Sequence, residues 1–142
     1  NGRTDGACER GFLPWPGLEA LLRERDLPLF TIESRAPVRD FDVLGVTLQF
    51  ELCYTSVLSL LDQARLPLLA RERAERDPLV IGGGPCAFNP EPMADFLDCF
   101  VVGEGEEVVH EIADAVMASG WREGRASRRE LLDRPGGNGK GC

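Results

Sequence analysis

Two short apolar runs in this chain stop abruptly at glycine. Leu79–Ile81 gives way to Gly82, Gly83, Gly84 and Pro85, and Phe100–Val102 gives way to Gly103, Glu104, Gly105 and Glu106. Brief, uninterrupted apolar runs suit strands covered on both faces. A buried strand ending in a glycine turn is how open α/β sheets build ligand crevices at their carboxyl edges. The stretch Asp77–Glu107 therefore points to two parallel strands that end side by side. The second turn runs into a helical pattern from about Glu106 to Ser119, with Val108, Val109, Ile112 and Val116 as its apolar face.

The rest of the chain repeats the strand–helix alternation. Pro16 can open a short helix, about Pro16–Arg25, with Leu18, Leu21 and Leu22 on one face. Leu29–Glu33 alternates and reads as a short strand before the turn Ser34–Pro37. Phe41–Phe50 reads as the next strand, apolar through Val43–Leu48. Helical periodicity follows Tyr54, with Val57, Leu58, Leu61 and Ala64 buried. The charged segment 71–77 reads as an exposed excursion. After Gly120 the pattern decays. These elements predict an α/β layered domain with a mainly parallel sheet over residues 1–120, and a polar, glycine-rich, disordered tail over 121–142.

Bulk properties narrow the function. A net charge of −8 disfavours nucleic acid as a partner. No run approaches the roughly 18 apolar residues needed to cross a bilayer, and residues 1–6 have no signal-peptide core. The five cysteines include no CxxC pair and there is a single histidine, His110, so no metal site is expected. An odd cysteine count without a secretion signal suits reduced thiols in the cytoplasm.

The candidate site gathers at the strand ends. Gly82, Gly83 and Gly84 would let backbone N–H groups approach a ligand, although the run matches neither GxGxxG nor GxxxxGK[ST]. Gly103, Glu104, Gly105 and Glu106 open a helix, where an anion would normally be favoured. The carboxylates of Glu104 and Glu106 would repel a phosphate there and welcome a hydroxyl, an amide or a partner's arginine. Thr47 and Gln49, spaced by two, project to one side at the end of the Phe41–Phe50 strand. Asp95 and Asp98 read as solvated surface positions. No nucleophile–base pair stands out, so no catalytic residue is assigned.

Several of these runs also resemble a known family. Pro14–Pro16, Leu29–Ser34, Asp42–Leu52, Ile81–Pro92 and Val102–Glu107 are similar to the N-terminal region of a bacterial radical S-adenosylmethionine (radical SAM) family. Its members carry a cobalamin-binding-like domain of flavodoxin or Rossmann type ahead of the radical core. The likeness spans roughly residues 7–118. It implies a non-catalytic domain that positions a cobalamin or a substrate against the core, its partner, which lies C-terminal to it. The 4Fe–4S cluster and S-adenosylmethionine would belong to that core, since CxxxCxxC is absent here. It also implies an opening strand and helix upstream of residue 1, whose loss would leave two inner sheet edges unpaired. The DxHxxG pattern is absent, so a cobalamin would bind without an axial histidine. Two other classes stay open: a ligand-free α/β interaction module, and a nucleotide- or flavin-binding domain.

Overall fold

The computed structural model describes residues 6–103 and 105–132, without the side chains of Glu106 and Glu107. Among these residues one sheet forms the frame. Its strands are β1 (Val43–Thr47), β2 (Leu79–Gly83) and β3 (Cys99–Val101), parallel and in that spatial order. The helices are α1 (Pro16–Glu24), α2 (Tyr54–Gln63), α3 (Gly105–Ser119) and the short α4 (Arg128–Leu132). Helices and short turns connect the parallel strands, as a layered α/β domain of flavodoxin or Rossmann type requires.

Register assigns each side chain to a face. Gly45, Ile81 and Cys99 lie abreast, as do Thr47, Gly83 and Val101, so these share one face. Leu44, Val46, Val80, Gly82 and Phe100 share the other. That second face meets α2 in the main core, with Val46, Leu48, Val57, Leu61, Val80, Met93 and Leu97 all buried. Leu61 and Val80 are fully enclosed; each such side chain contributes about 1.5–3 kcal/mol. The first face is covered by a smaller cluster in which Leu79 meets Trp121 and Leu131, with Val116 and Leu132 alongside.

Helices α1 and α2 stop in the same way. Each ends on a non-glycine residue with positive φ, Asp26 at 54° and Arg65 at 58°. Each chain then folds back through a hydrogen bond, Leu27 N–H to Leu22 O and Leu66 N–H to Leu61 O. Asp26 and Arg65 form an ion pair, which ties the two turns together.

Three features differ from the sequence expectation. Leu29–Glu33 is not a strand of the sheet. It makes one antiparallel bridge, Phe30 to Pro37, around a turn with Arg35 at φ 61°. Pro28 and Pro37 lack the N–H groups that would lengthen a ladder. The three strands are contiguous, so two inner edges are not opened. Leu79 N–H bonds to Asp42 O at 2.9 Å and Leu48 N–H to Gly83 O at 2.7 Å. By the alternation of a parallel ladder, even-numbered residues face β2. Val43, Gly45 and Thr47 direct their backbone groups to the outer edge of β1, where no described strand pairs with them. Finally, the segment after Gly120 is packed as far as Leu132: Trp121, Arg128 and Leu131 are all buried. Residues 133–142 lie outside the described residues.

Candidate functional site

The carboxyl ends of the strands bring together part of the expected site. Thr47 is exposed at the end of β1 and stands directly beside Gly83 on the same sheet face. Beyond it, Leu48 is buried at 1% exposure and Gln49 is exposed again. Thr47 and Gln49 are thus exposed on either side of a core residue, although β1 itself ends at Thr47. The alternation ends there, because Glu51–Cys53 forms a 3-10 turn and Glu51 is not aligned with the other two.

The three consecutive glycines serve different ends. A Cβ on Gly82 would lie 2.6 Å from Leu97 Cδ1 and 3.1 Å from Leu48 Cδ1, so its missing side chain is interior packing space. Gly83 has nothing within 4 Å of that position and faces open space next to Thr47. Gly84 adopts φ 104°, and a side chain there would meet Leu48 O at 3.0 Å. Leu48 O also accepts the Cys86 N–H at 2.9 Å, which ties the β1 and β2 exits together. Gly103 turns the β3 exit with φ 107°, and Gly105 begins α3 with open space at its Cβ position. Glu104 and the side chain of Glu106 lie outside the described residues.

Tyr54, at the start of α2, packs against the same turn. Desolvation, then a hydrogen bond with Cys86, pushes its phenol above the ordinary value. Cys53 and Cys86 are half-buried thiols nearby, and the Cys53 Sγ–H donates to Thr47 O at 3.9 Å. His110 lies exposed on α3. Among the described residues no group of three or more His, Cys, Asp and Glu is arranged to hold a metal. No described helix is long and apolar enough to cross a membrane.

A second concavity among the described residues lies away from the strand ends. A cavity of about 330 Å³ between the ends of α1 and α2 is lined by Glu19, Arg23, Asp26, Asp62, Gln63 and Arg65. Its charged groups pair with one another: Arg23 with Glu19 and Asp62, and Arg65 with Asp26.

The amino edge of the sheet holds a charged cluster that sequence reading missed. Arg73, expected in an exposed excursion, is fully buried, and Asp98, expected on the surface, is 2% exposed at its side chain. One oxygen of Asp98, Oδ2, accepts from Arg73 Nη1 at 2.8 Å, Arg128 Nη2 at 2.7 Å and Val80 N–H at 2.7 Å. Arg73 also donates to the carbonyls of Pro67, Leu68 and Phe96. Burial pushes the Arg73 guanidinium below its ordinary value, and Asp98 opposes that push. Arg128 donates further to Asp77 O at 2.7 Å and Pro78 O at 2.9 Å. Arg122 pairs with Asp42 at 2.9 Å and stacks over Trp121. A signal for this was present: an aspartate, Asp42, Asp77 or Asp98, stands within two residues ahead of each strand, and arginines crowd 122–129.

Comparison with known proteins then decides the family. Residues 1–137 match the family described as radical SAM proteins, N-terminal. The chain belongs to that family. As an N-terminal domain of a radical SAM protein, it implies a radical core elsewhere in the parent polypeptide. The chain is also 28% identical over 85 residues to an uncharacterized protein of Methanocaldococcus jannaschii, MJ0966. The match takes in 59% of this domain and 18% of that protein, so the domain spans less than a fifth of its relative. No solved structure matches it.

Proposed function

We propose that this domain is a non-catalytic positioning domain, which holds a cobalamin or a substrate at the carboxyl edge of its sheet against the radical core. The open space over Gly83, beside the Thr47 hydroxyl, carries this reading. A ligand's narrow tail fits there because two neighbouring strand ends present one small polar side chain and none at all. Thr47 and Gln49 would donate to and accept from the amides of such a ligand, and the turns at Gly84 and Gly103 would border it. Gly82 is occupied by Leu97 and Leu48 and takes no part.

A cobalamin, when bound, supplies a cobalt centre that carries an alkyl group. The domain's own residues orient it and keep the crevice narrow. Neither the strand ends nor their turns hold a histidine, so Thr47, Gln49 and the glycine turns would hold the group at this edge without an imidazole. The full-length protein, titrated with hydroxocobalamin, is expected to shift the visible spectrum saturably. Gly83→Val should abolish the shift, because its side chain fills the open space. No spectral change in the full-length protein would overturn the cobalamin reading. Saturable binding of a flavin or nucleotide instead would favour a nucleotide-binding domain.

A further inference from the structure

Leu52 is 83% exposed, Phe88 71% and Phe50 53%. Single exposed apolar residues are ordinary, but these three lie on or next to the two turns that follow β1 and β2. Phe50 immediately precedes the Glu51–Cys53 turn, which carries Leu52, and Phe88 ends the Pro85–Phe88 turn. Both turns follow strand ends at the carboxyl edge, and the Cys86 N–H to Leu48 O bond joins them. Leu52 and Phe88 contribute almost nothing to the domain's own core, so their apolar character has no internal explanation. Glu51 and Glu91, both exposed, add carboxylates close to them in the chain.

We propose that Phe50, Leu52 and Phe88 form a docking surface for the radical core of the same polypeptide, whose matching face is apolar at the centre and basic at the fringe. The occupant follows from two observations. The family consists of N-terminal domains of radical SAM proteins, and the match covers only 18% of the relative. A core in the same chain is present at high effective concentration and needs only a modest apolar patch to dock. The carboxyl edge is also where the positioning reading, on which this proposal rests, needs the core to lie. An apolar collar there excludes water from the crevice beside it.

Photo-crosslinking in the full-length protein tests this. A benzoylphenylalanine is placed at Leu52, at Phe88 and, as a control on an exposed aromatic outside these two turns, at Trp15, which precedes α1 and is 68% exposed. Cross-links from Leu52 and Phe88 are expected to map to peptides beyond residue 142, and those from Trp15 are not. Leu52→Glu should leave the urea midpoint of the 142-residue chain unchanged. In the full-length protein it should speed amide hydrogen exchange over residues 48–54 and 85–89 at least tenfold. Cross-links confined to the first 142 residues, or formed only between two copies, would overturn the docking surface. So would an unchanged exchange rate. The outcome does not depend on cobalamin, so failure of the spectral titration and failure of docking are separately visible.

Discussion

A methyl group on Gly82 would lie 2.6 Å from Leu97 Cδ1, with Leu48 Cδ1 at 3.1 Å and Phe100 Cδ1 at 3.3 Å. Leu97 and Leu48 belong to the close-packed interior, so neither yields without disturbing its neighbours, while Phe100 is half-buried beside them. Its neighbour Gly83 meets nothing within 4 Å. Gly82→Ala is therefore expected to destabilise the domain by about 1–3 kcal/mol through overpacking. Gly83→Ala should be neutral, or stabilising by up to about 1 kcal/mol, because alanine loses less backbone entropy. Urea unfolding of the two variants checks the pair. Equal losses would mean that the space over Gly83 is filled in solution. The sequence shows three identical letters here, and no periodicity distinguishes a glycine that admits a core leucine from one with open space at its Cβ position. Only the register, which puts Gly82 on the α2 face and Gly83 on the other, separates them.

Elements were more legible than sites. Helices α1, α2 and α3 follow from spaced leucines and valines, and the parallel strands from apolar runs cut off by glycine. Leu29–Glu33 misled because its alternation is real, yet prolines on both sides and the turn at Arg35 restrict it to one bridge. Arg73 and Asp98 were illegible for a different reason. Their partners lie 25 and 30 residues apart in sequence, and local patterns carry no information about such pairs. Strand β1 makes a prediction of its own. Its outer edge presents the backbone groups of Val43 and Gly45 with no described strand against them; Arg122 at Phe41 O and the Cys53 thiol at Thr47 O lie only at its two ends, and no proline interrupts it. The 142-residue chain should self-associate through this edge as its concentration rises. Gly45 is exposed with open space at its Cβ position, so Gly45→Lys fits without strain and places a charge there. Sedimentation should show the association weakened by the substitution while the unfolding midpoint holds. A wild-type chain that stays monomeric at every concentration would remove the edge from consideration.

At the scale of the whole molecule, the carboxyl edge carries the proposed crevice and the amino edge carries the lock. Residues 119–132 run beneath the strand starts as a strap. Trp121 fills the space under Leu79, its indole N–H bonds to Glu75 at 3.0 Å, and Arg122 and Arg128 reach the aspartates that precede the strands. The two buried arginines share one carboxylate, so removing different members has unequal consequences. Asp98→Ala removes the one carboxylate that both buried guanidinium groups bond, a loss of about 3–5 kcal/mol. Arg128→Met strands the carbonyls of Asp77 and Pro78, about 1–3 kcal/mol, but it relieves the repulsion that Arg128 exerts on Arg73. Ending the chain at Gly120 strips away Trp121, Leu131 and both strap arginines together. Small domains are stable by only about 5–15 kcal/mol, so that truncation is expected to leave most of the chain unfolded. The order of urea midpoints should be wild type, Arg128→Met, Asp98→Ala, and then the truncated chain with no cooperative transition. A truncated chain that unfolds at the wild-type midpoint would show that the sheet stands without its strap. The boundary of the folded unit would then return to residue 120.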